Sequence, residues 1–301
     1  MNGAPPPLKR IDHIVALVAN LDVAFVTYTA RLGFPVSWQV ESKDGWRSSA
    51  LWLGNSSLEL LEPSAEGNGG GPGDFFQRAL DSRGEGLFLV AFEPPDIEFS
   101  VRALRNRGTQ VADPIASAVF DPQQRDGLRG YRSAFISRRS TGGLNSFLCE
   151  YDSPFAPLDG GAGPLKVKKL DHIVIATEDL EEATSLWQRN VGLNPDASLN
   201  HPLGAGFKVA RLPIGDAFLE LVQPVEKTGR FYEQFRQRGE GLFSISVEVQ
   251  DLDEAVAFLR GNNVKVSDPE ASIWPGARLA RINHEYTHGV SIQLIERPST
   301  Q

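Results

Sequence analysis

The tetrapeptide Asp-His-Ile-Val occurs at Asp12–Val15 and again at Asp171–Val174, about half a chain later. Two further blocks follow each copy in the same order. Leu58-Glu59-Leu60-Leu61-Glu62-Pro63 returns as Leu219-Glu220-Leu221-Val222-Gln223-Pro224. Arg83-Gly84-Glu85-Gly86-Leu87-Phe88 returns as Arg238-Gly239-Glu240-Gly241-Leu242-Phe243. Three ordered blocks at nearly constant spacing mark an internal duplication. Such a repeat constrains the architecture more tightly than local propensity does.

Each half subdivides again. Arg10–Val18 alternates like a strand, placing Ile11, His13, Val15 and Leu17 on one face. Leu21, Phe25, Tyr28 and Leu32 then recur at helical spacing, and Gly33 ends the helix. Strands are expected near 36–41, 46–53 and 57–62. The same order restarts at Gly86, with strands near 110–113, 131–137 and 145–151, and again at Lys169 and Gly241. Asp179 with Glu182, and Asp251 with Glu254, have helix-start spacing. The chain therefore reads as an α+β protein of four βαβββ modules in two similar domains. The first is 8–154 (modules 8–63 and 86–152) and the second 165–297 (modules 165–224 and 241–297). Residues 155–164 have linker composition.

With 301 residues, 41% of them hydrophobic, the chain has material for about two globular domains. No apolar run approaches the ~18 residues that span a bilayer, and no secretory signal is visible at the N-terminus. The single Cys149 fits a reducing, cytoplasmic compartment. A net charge of −8 argues against nucleic-acid binding. The run Arg125, Arg129, Arg132, Arg138 and Arg139 reads as a solvated hairpin, with docking of an anionic substrate tail as the alternative.

The Asp-His-Ile-Val strand, the Asn/Asp-Leu helix start and the Leu-Glu-Leu strand together resemble the vicinal oxygen chelate superfamily. This group holds glyoxalase I, methylmalonyl-CoA epimerase, extradiol dioxygenases and the bleomycin and fosfomycin resistance proteins. The resemblance covers nearly the whole chain. It implies that paired modules curl into cups, and that four positions per cup can bind a divalent metal. Those positions map onto His13, Glu59, Leu89 and Glu150 in the first two modules. In the last two they map onto His172, Glu220, Ser244 and Gln293. Pairing of module one with four, and two with three, is the alternative. Glu150 has a His-Glu pair beside it either way. The stronger site is therefore expected in the cup holding Glu150, and Cys149 is expected to point away from it. His172, Glu220 and Gln293 form the weaker set.

A carboxylate on an apolar strand face is costly unless paired or bound to a cation. One imidazole with two carboxylates suits Fe, Mn, Ni, Co or Zn. The first functional expectation is thus a divalent-metal enzyme that chelates vicinal oxygens of a small-molecule substrate and stabilises an enolate or oxyanion. Its reaction would be of isomerase, epimerase or lyase type, with Glu59 and Glu150 as candidate catalytic groups. The alternative is a metal-free pocket for a drug or metabolite; ring-cleaving dioxygenation is a third reading. No organic cofactor and no membrane partner are expected, and the chain is expected as monomer or homodimer. Leu89, Ser244, His284 and His288 are candidate substrate contacts. His284-Glu285-Tyr286-Thr287-His288 matches the zinc-protease string HExxH, but it sits between two alternating segments with Gly289 next, a hairpin context rather than the required helix.

Overall fold

A computed structural model describes residues 5–64, 71–124, 126–153, 155, 161–196, 202–203 and 206–298. The first domain runs β1 (Arg10–Leu17), α1 (Leu21–Val26), β2 (Val36–Ser42), β3 (Trp46–Trp52), β4 (Ser57–Pro63), α2 (Pro72–Arg83), β5 (Gly86–Glu93), α3 (Ile97–Asn106), β6 (Ile115–Phe120), β7 (Leu128–Ile136) and β8 (Ser146–Tyr151). The second runs β9 (Val167–Ala176), α4 (Leu180–Leu186), β10 (Pro202–Leu203), β11 (Phe207–Ile214), β12 (Ala217–Pro224), α5 (Arg230–Arg238), β13 (Gly241–Val249), α6 (Leu252–Gly261), β14 (Glu270–Ala271), β15 (Arg278–Ile282) and β16 (Ile292–Glu296). The expected strand at 110–113 is reduced to a single bridge at Val111, and the unit's first long hairpin strand is β6. Linker residues 154 and 156–160, most of the glycine-rich stretch after Ser64, and Arg125 lie outside the described residues.

Modules pair in sequence order, not crosswise. β1 lies parallel to β4 and antiparallel to β5, and β5 lies parallel to β8. β9, β12, β13 and β16 repeat this arrangement. The two sheets then diverge. β2 pairs with β6 through Glu41↔Phe120 and Ser42↔Val119, closing the first sheet into a barrel. The corresponding outer strands of the second sheet, β10 and β14, have two residues each and do not meet among the described residues.

Strand alternation divides the side chains between one inter-sheet core and the interiors of the two cups. Ile14, Ala16, Ile173 and Ile175 enter one continuous core between the convex faces of the two sheets. Val15, Leu17, Leu61 and Leu89 face into the first cup; Val174, Val222, Phe243 and Trp274 face into the second. Ile11 departs from its expected face and joins the inter-sheet core, because the β1–β5 register shifts between Ile11 and His13. Such an irregularity re-aims the side chains on either side of it.

Helix starts follow the sequence. Asn20, Asp96, Asp179 and Asp251 each accept a hydrogen bond from the backbone N–H three residues on. α1 and α4 each continue into a five-residue π turn, Thr27–Arg31 and Trp187–Val191. These turns carry Tyr28 and Trp187 into the inter-sheet core with no solvent exposure. The Tyr28 hydroxyl donates to the Thr287 carbonyl of the second domain at 2.8 Å, and Trp187 packs edge-on to Phe92 of the first. Each domain thereby anchors a helix in the other.

Candidate functional site

Each cup carries a buried His–Glu pair at its centre. In the first, His13 on β1 and Glu59 on β4 are 3% and 4% exposed, with Nε2 3.2 Å from Glu59 Oε2. The Asp12 carboxylate holds Nδ1 at 2.7 Å. Burial alone lowers the imidazole pKa, but the Asp12 hydrogen bond and the Glu59 charge outweigh it, leaving His13 raised. Glu59 is also raised, chiefly by burial. The pair sits among aromatic rings. Phe147 lies edge-on to His13 at 5.6 Å and Trp38 at 6.2 Å, while Phe155 stacks on Trp38 at 4.8 Å. Pro72 and Phe76 of α2 cover the same space, and the remaining cavity is about 100 Å³.

The second cup repeats the pair and changes its surroundings. His172 on β9 has Nδ1 2.6 Å from Asp171 and Nε2 3.4 Å from Glu220 on β12. Two arginines join them. Arg297 donates to both oxygens of Asp171 at 2.5 and 2.8 Å. Arg211 stands 3.4 Å from both Asp171 and Glu220, its guanidinium over the rings of Phe218 and Trp274. Burial opposes ionisation of Asp171, yet hydrogen bonds from Arg297 and His172 hold it well below the usual carboxylate range. Glu220 is raised, first by burial, with His172 and Arg211 opposing. Among the described residues its buried Oε1 has no hydrogen-bond partner; Arg211 Nε approaches at ion-pair distance but not in hydrogen-bonding geometry. Above this floor opens a cavity of about 680 Å³. Phe207, Phe231, Phe243 and Trp274 line it, with Lys265 and Arg281 as cations.

The structure corrects the placement of Glu150. Its Oε1 accepts from the Ile97 backbone N–H at 3.1 Å, and its Oε2 is bound by Arg132. It therefore caps α3 outside the cup, while Phe147, Cys149 and Tyr151 line the interior. The cause is strand register. Ala91↔Phe147 in the first domain matches Ser246↔Gln293 in the second, so the equivalent of Gln293 is Phe147. Leu89 and Ser244 are equivalent, opposite Val15 and Val174, and line their cups as expected. Cys149, expected to point outward, is buried on the cup wall, where burial raises its thiol pKa. Gln293 reaches the second cavity, its Oε1 accepting from Ser246 at 3.1 Å. Glu150 therefore adds no ligand to the first cup.

His284 and His288 line neither cup. His284 begins a single 3₁₀ turn, and His288 turns toward the first domain, stacked on Tyr28 with Nδ1 3.2 Å from Glu85. Of the arginine run, Arg129 is buried against Asp121 and Arg132 pairs with Glu150, leaving Arg138 and Arg139 exposed.

Arg211 and Arg297 were not singled out from sequence. Arg211 had a readable signal. Counting outward from the Gly215-Asp216 turn pairs Ile214 with Ala217 and Arg211 with Glu220. Arg297 follows the last strand, and only the folded chain brings it to Asp171.

The donor chemistry fits a resident divalent metal poorly in both cups. The first offers His13 and Glu59, with Leu89 and Phe147 at the other two positions. The second offers His172 and Glu220, a Gln293 amide already accepting a hydrogen bond, and the Ser244 hydroxyl. There the Arg211 guanidinium already balances Glu220. Among the described residues, no three His, Cys, Asp or Glu side chains are grouped to hold a metal ion. A site of this class normally presents three or four such ligands.

The glyoxalase-like domain model matches residues 11–169 and again 170–285. Mitochondrial methylmalonyl-CoA epimerase of Dictyostelium discoideum is 26% identical over 138 residues, covering 45% of this chain and 82% of that protein. YqjC of Bacillus subtilis (strain 168) is 29% identical over 144 residues, covering 48% and 93% respectively. Among solved structures, a variant of 4-hydroxymandelate synthase from Streptomyces coelicolor superposes with a TM-score of 0.74 at 17% identity. It covers 99% of this chain and 94% of that one, a likeness of fold. With both halves matched by one model and both built as curled βαβββ pairs, the chain belongs to the glyoxalase-like domain family of the vicinal oxygen chelate fold.

Proposed function

We propose that the second cup is the working site, and that it binds a small organic molecule without a resident metal. The observation that carries this is the difference in free volume around two nearly identical His–Glu pairs: about 680 Å³ against about 100 Å³. A cavity of that size, walled by aromatic side chains with a few polar groups at one end, matches the usual form of a small-molecule site. Phe207, Phe231, Phe243 and Trp274 would hold an apolar body. His172, Glu220, Ser244 and Gln293 would meet a polar head.

One observation favours turnover as well as binding. Glu220 lies on the cavity floor with a buried oxygen that no hydrogen bond satisfies. Burial also raises the Glu220 pKa, so its carboxylate would take a proton from a substrate C–H or O–H in the cavity and return it to the product. The neighbouring imidazole, fixed by Asp171, would steady the charge. This is isomerase or epimerase chemistry, in keeping with the epimerase among the relatives.

Binding of the fluorescent aromatic anion 8-anilinonaphthalene-1-sulfonate tests the location. Ser244→Trp should weaken it at least tenfold and Leu89→Trp should leave it unchanged. Elemental analysis of protein purified without added metal should find less than a tenth of an equivalent. Equal effects of the two substitutions, or one tightly held metal lost in His172→Ala, would overturn the reading.

A further inference from the structure

The repeated Arg-Gly-Glu-Gly block plays no part in either cup. Both copies instead line a third cavity, of about 310 Å³, at the seam between the domains. The chain crosses there at close quarters. A Cβ on Gly86 would meet the Gly289 carbonyl oxygen at 3.0 Å, and one on Gly241 would meet that of Gly143 at 3.2 Å. All four glycines have positive φ. These crossings fix the block from each domain against the other.

Within each block the glutamate is used structurally. Glu85 accepts from the Ala19 backbone N–H at 2.8 Å, and Glu240 accepts from that of Glu178 at 2.8 Å. The arginines carry unpaired charge. Arg83 and Arg238 line the seam cavity together with Arg138. Arg138 donates from Nε to the Gly143 carbonyl at 2.9 Å and Arg238 lies 5.9 Å from the Phe243 ring, but among the described residues no ion pair with a carboxylate is formed by any of the three. Partial burial lowers the Arg83 pKa, and the charge of Arg138 lowers it further. Arg83 and Arg238 close the last turns of α2 and α5, where a cation complements the helix dipole. That role explains each arginine singly. It does not explain why Arg138, from a different segment, is brought to the same cleft in a chain of net charge −8.

We infer that this seam is an anion site that takes a phosphate-class group, held by the forked donors of Arg83, Arg138 and Arg238. Guanidinium pairs suit phosphate oxygens because each offers two parallel N–H donors. Glu85 and Glu240 line the same cavity, each with an oxygen held by a backbone N–H, and the three arginines leave it net positive, which favours a pyrophosphate or a phosphate ester over a lone carboxylate. The site lies apart from the second cup and stands independently of the function proposed for it.

Isothermal titration of the full chain with inorganic pyrophosphate at low ionic strength tests this, with inorganic phosphate as the second arm. One equivalent of pyrophosphate should bind, more tightly than phosphate. The double substitution R83Q/R238Q should weaken binding at least tenfold, and Arg139→Gln should leave it unchanged. Ser244→Trp, which fills the second cup, should also leave it unchanged. Absence of pyrophosphate binding, or binding lost with Ser244→Trp, would overturn the inference. So would an R83Q/R238Q protein that melts earlier but binds as well, since that outcome leaves the arginines only their helix-end role.

Discussion

The two cups share a first strand, a fourth strand and a His–Glu pair, yet one is filled and the other is open. Three equivalent positions and one added arginine account for most of the difference. Leu89 stands where the second cup has Ser244, and Phe147 stands where it has Gln293. Opposite the glutamate, Ala50 in the first hairpin corresponds to Arg211 in the second. Beside the aspartate, the second domain adds Arg297. The first cup has thus become a closed barrel packed with Trp38, Phe76, Phe147 and Phe155, whose His13–Glu59 pair is a self-satisfied polar element in an apolar core. The second is roomier and more highly charged. On the function proposed above the second cup holds the site, and volume separates the two cups more than ligand residues do.

The largest effect should come from the charge cluster that the second cup alone possesses. Asp171→Asn leaves Arg297 without its ion-pair partner and Arg211 with Glu220 alone, a change to a largely buried cluster that costs about 3–5 kcal/mol. Because the folded-state pKa of Asp171 lies below its unfolded value, its contribution is complete well above the ordinary Asp range. It shrinks as pH falls through that range toward the lower folded value. Urea titrations should therefore show a wide gap between wild type and variant at pH 7, narrowing as the pH falls below about 5. A gap that widened on acidification would contradict the clamp. The matching Asp12→Asn change, at a site with one arginine 3.1 Å away, should cost far less.

A smaller effect should follow from making the first cup resemble the second. Phe147→Gln places an amide against the His13 ring and among Phe135 and Trp38, where it lacks partners. A loss of about 1–3 kcal/mol is expected by thermal unfolding, with no gain of binding to the aromatic anion. A new binding site there would show that one residue, not the closed barrel, decides which cup works.

The smallest effect belongs to Glu150. Its contacts are a partly exposed ion pair with Arg132 and a hydrogen bond to the first turn of α3. Glu150→Ala should cost about 1 kcal/mol and leave ligand binding intact. Loss of binding at full stability would return Glu150 to the site.

The sequence by itself determined the duplication, the order of βαβββ modules, the helix caps and the two His–Glu pairs. Each of these rests on local spacing: period two along β1 and β9, period 3.6 along α1 and α4, and short motifs that repeat. The family resemblance, mapped onto these strands, placed Leu89 and Ser244 on the cup walls. Local spacing failed at β8, where Ser146–Tyr151 is hydrophobic enough on both faces that alternation does not say which set points inward. A one-residue change of register exchanges every side chain between faces. That is why Glu150 lies outside and Cys149 inside. The volume of each cup, the closure of β2 onto β6, the arrival of Arg297 at Asp171 and the meeting of Arg83, Arg138 and Arg238 at the seam were decided by tertiary structure alone. Each depends on segments distant in sequence, and no spacing along the chain encodes how far apart their side chains come to rest.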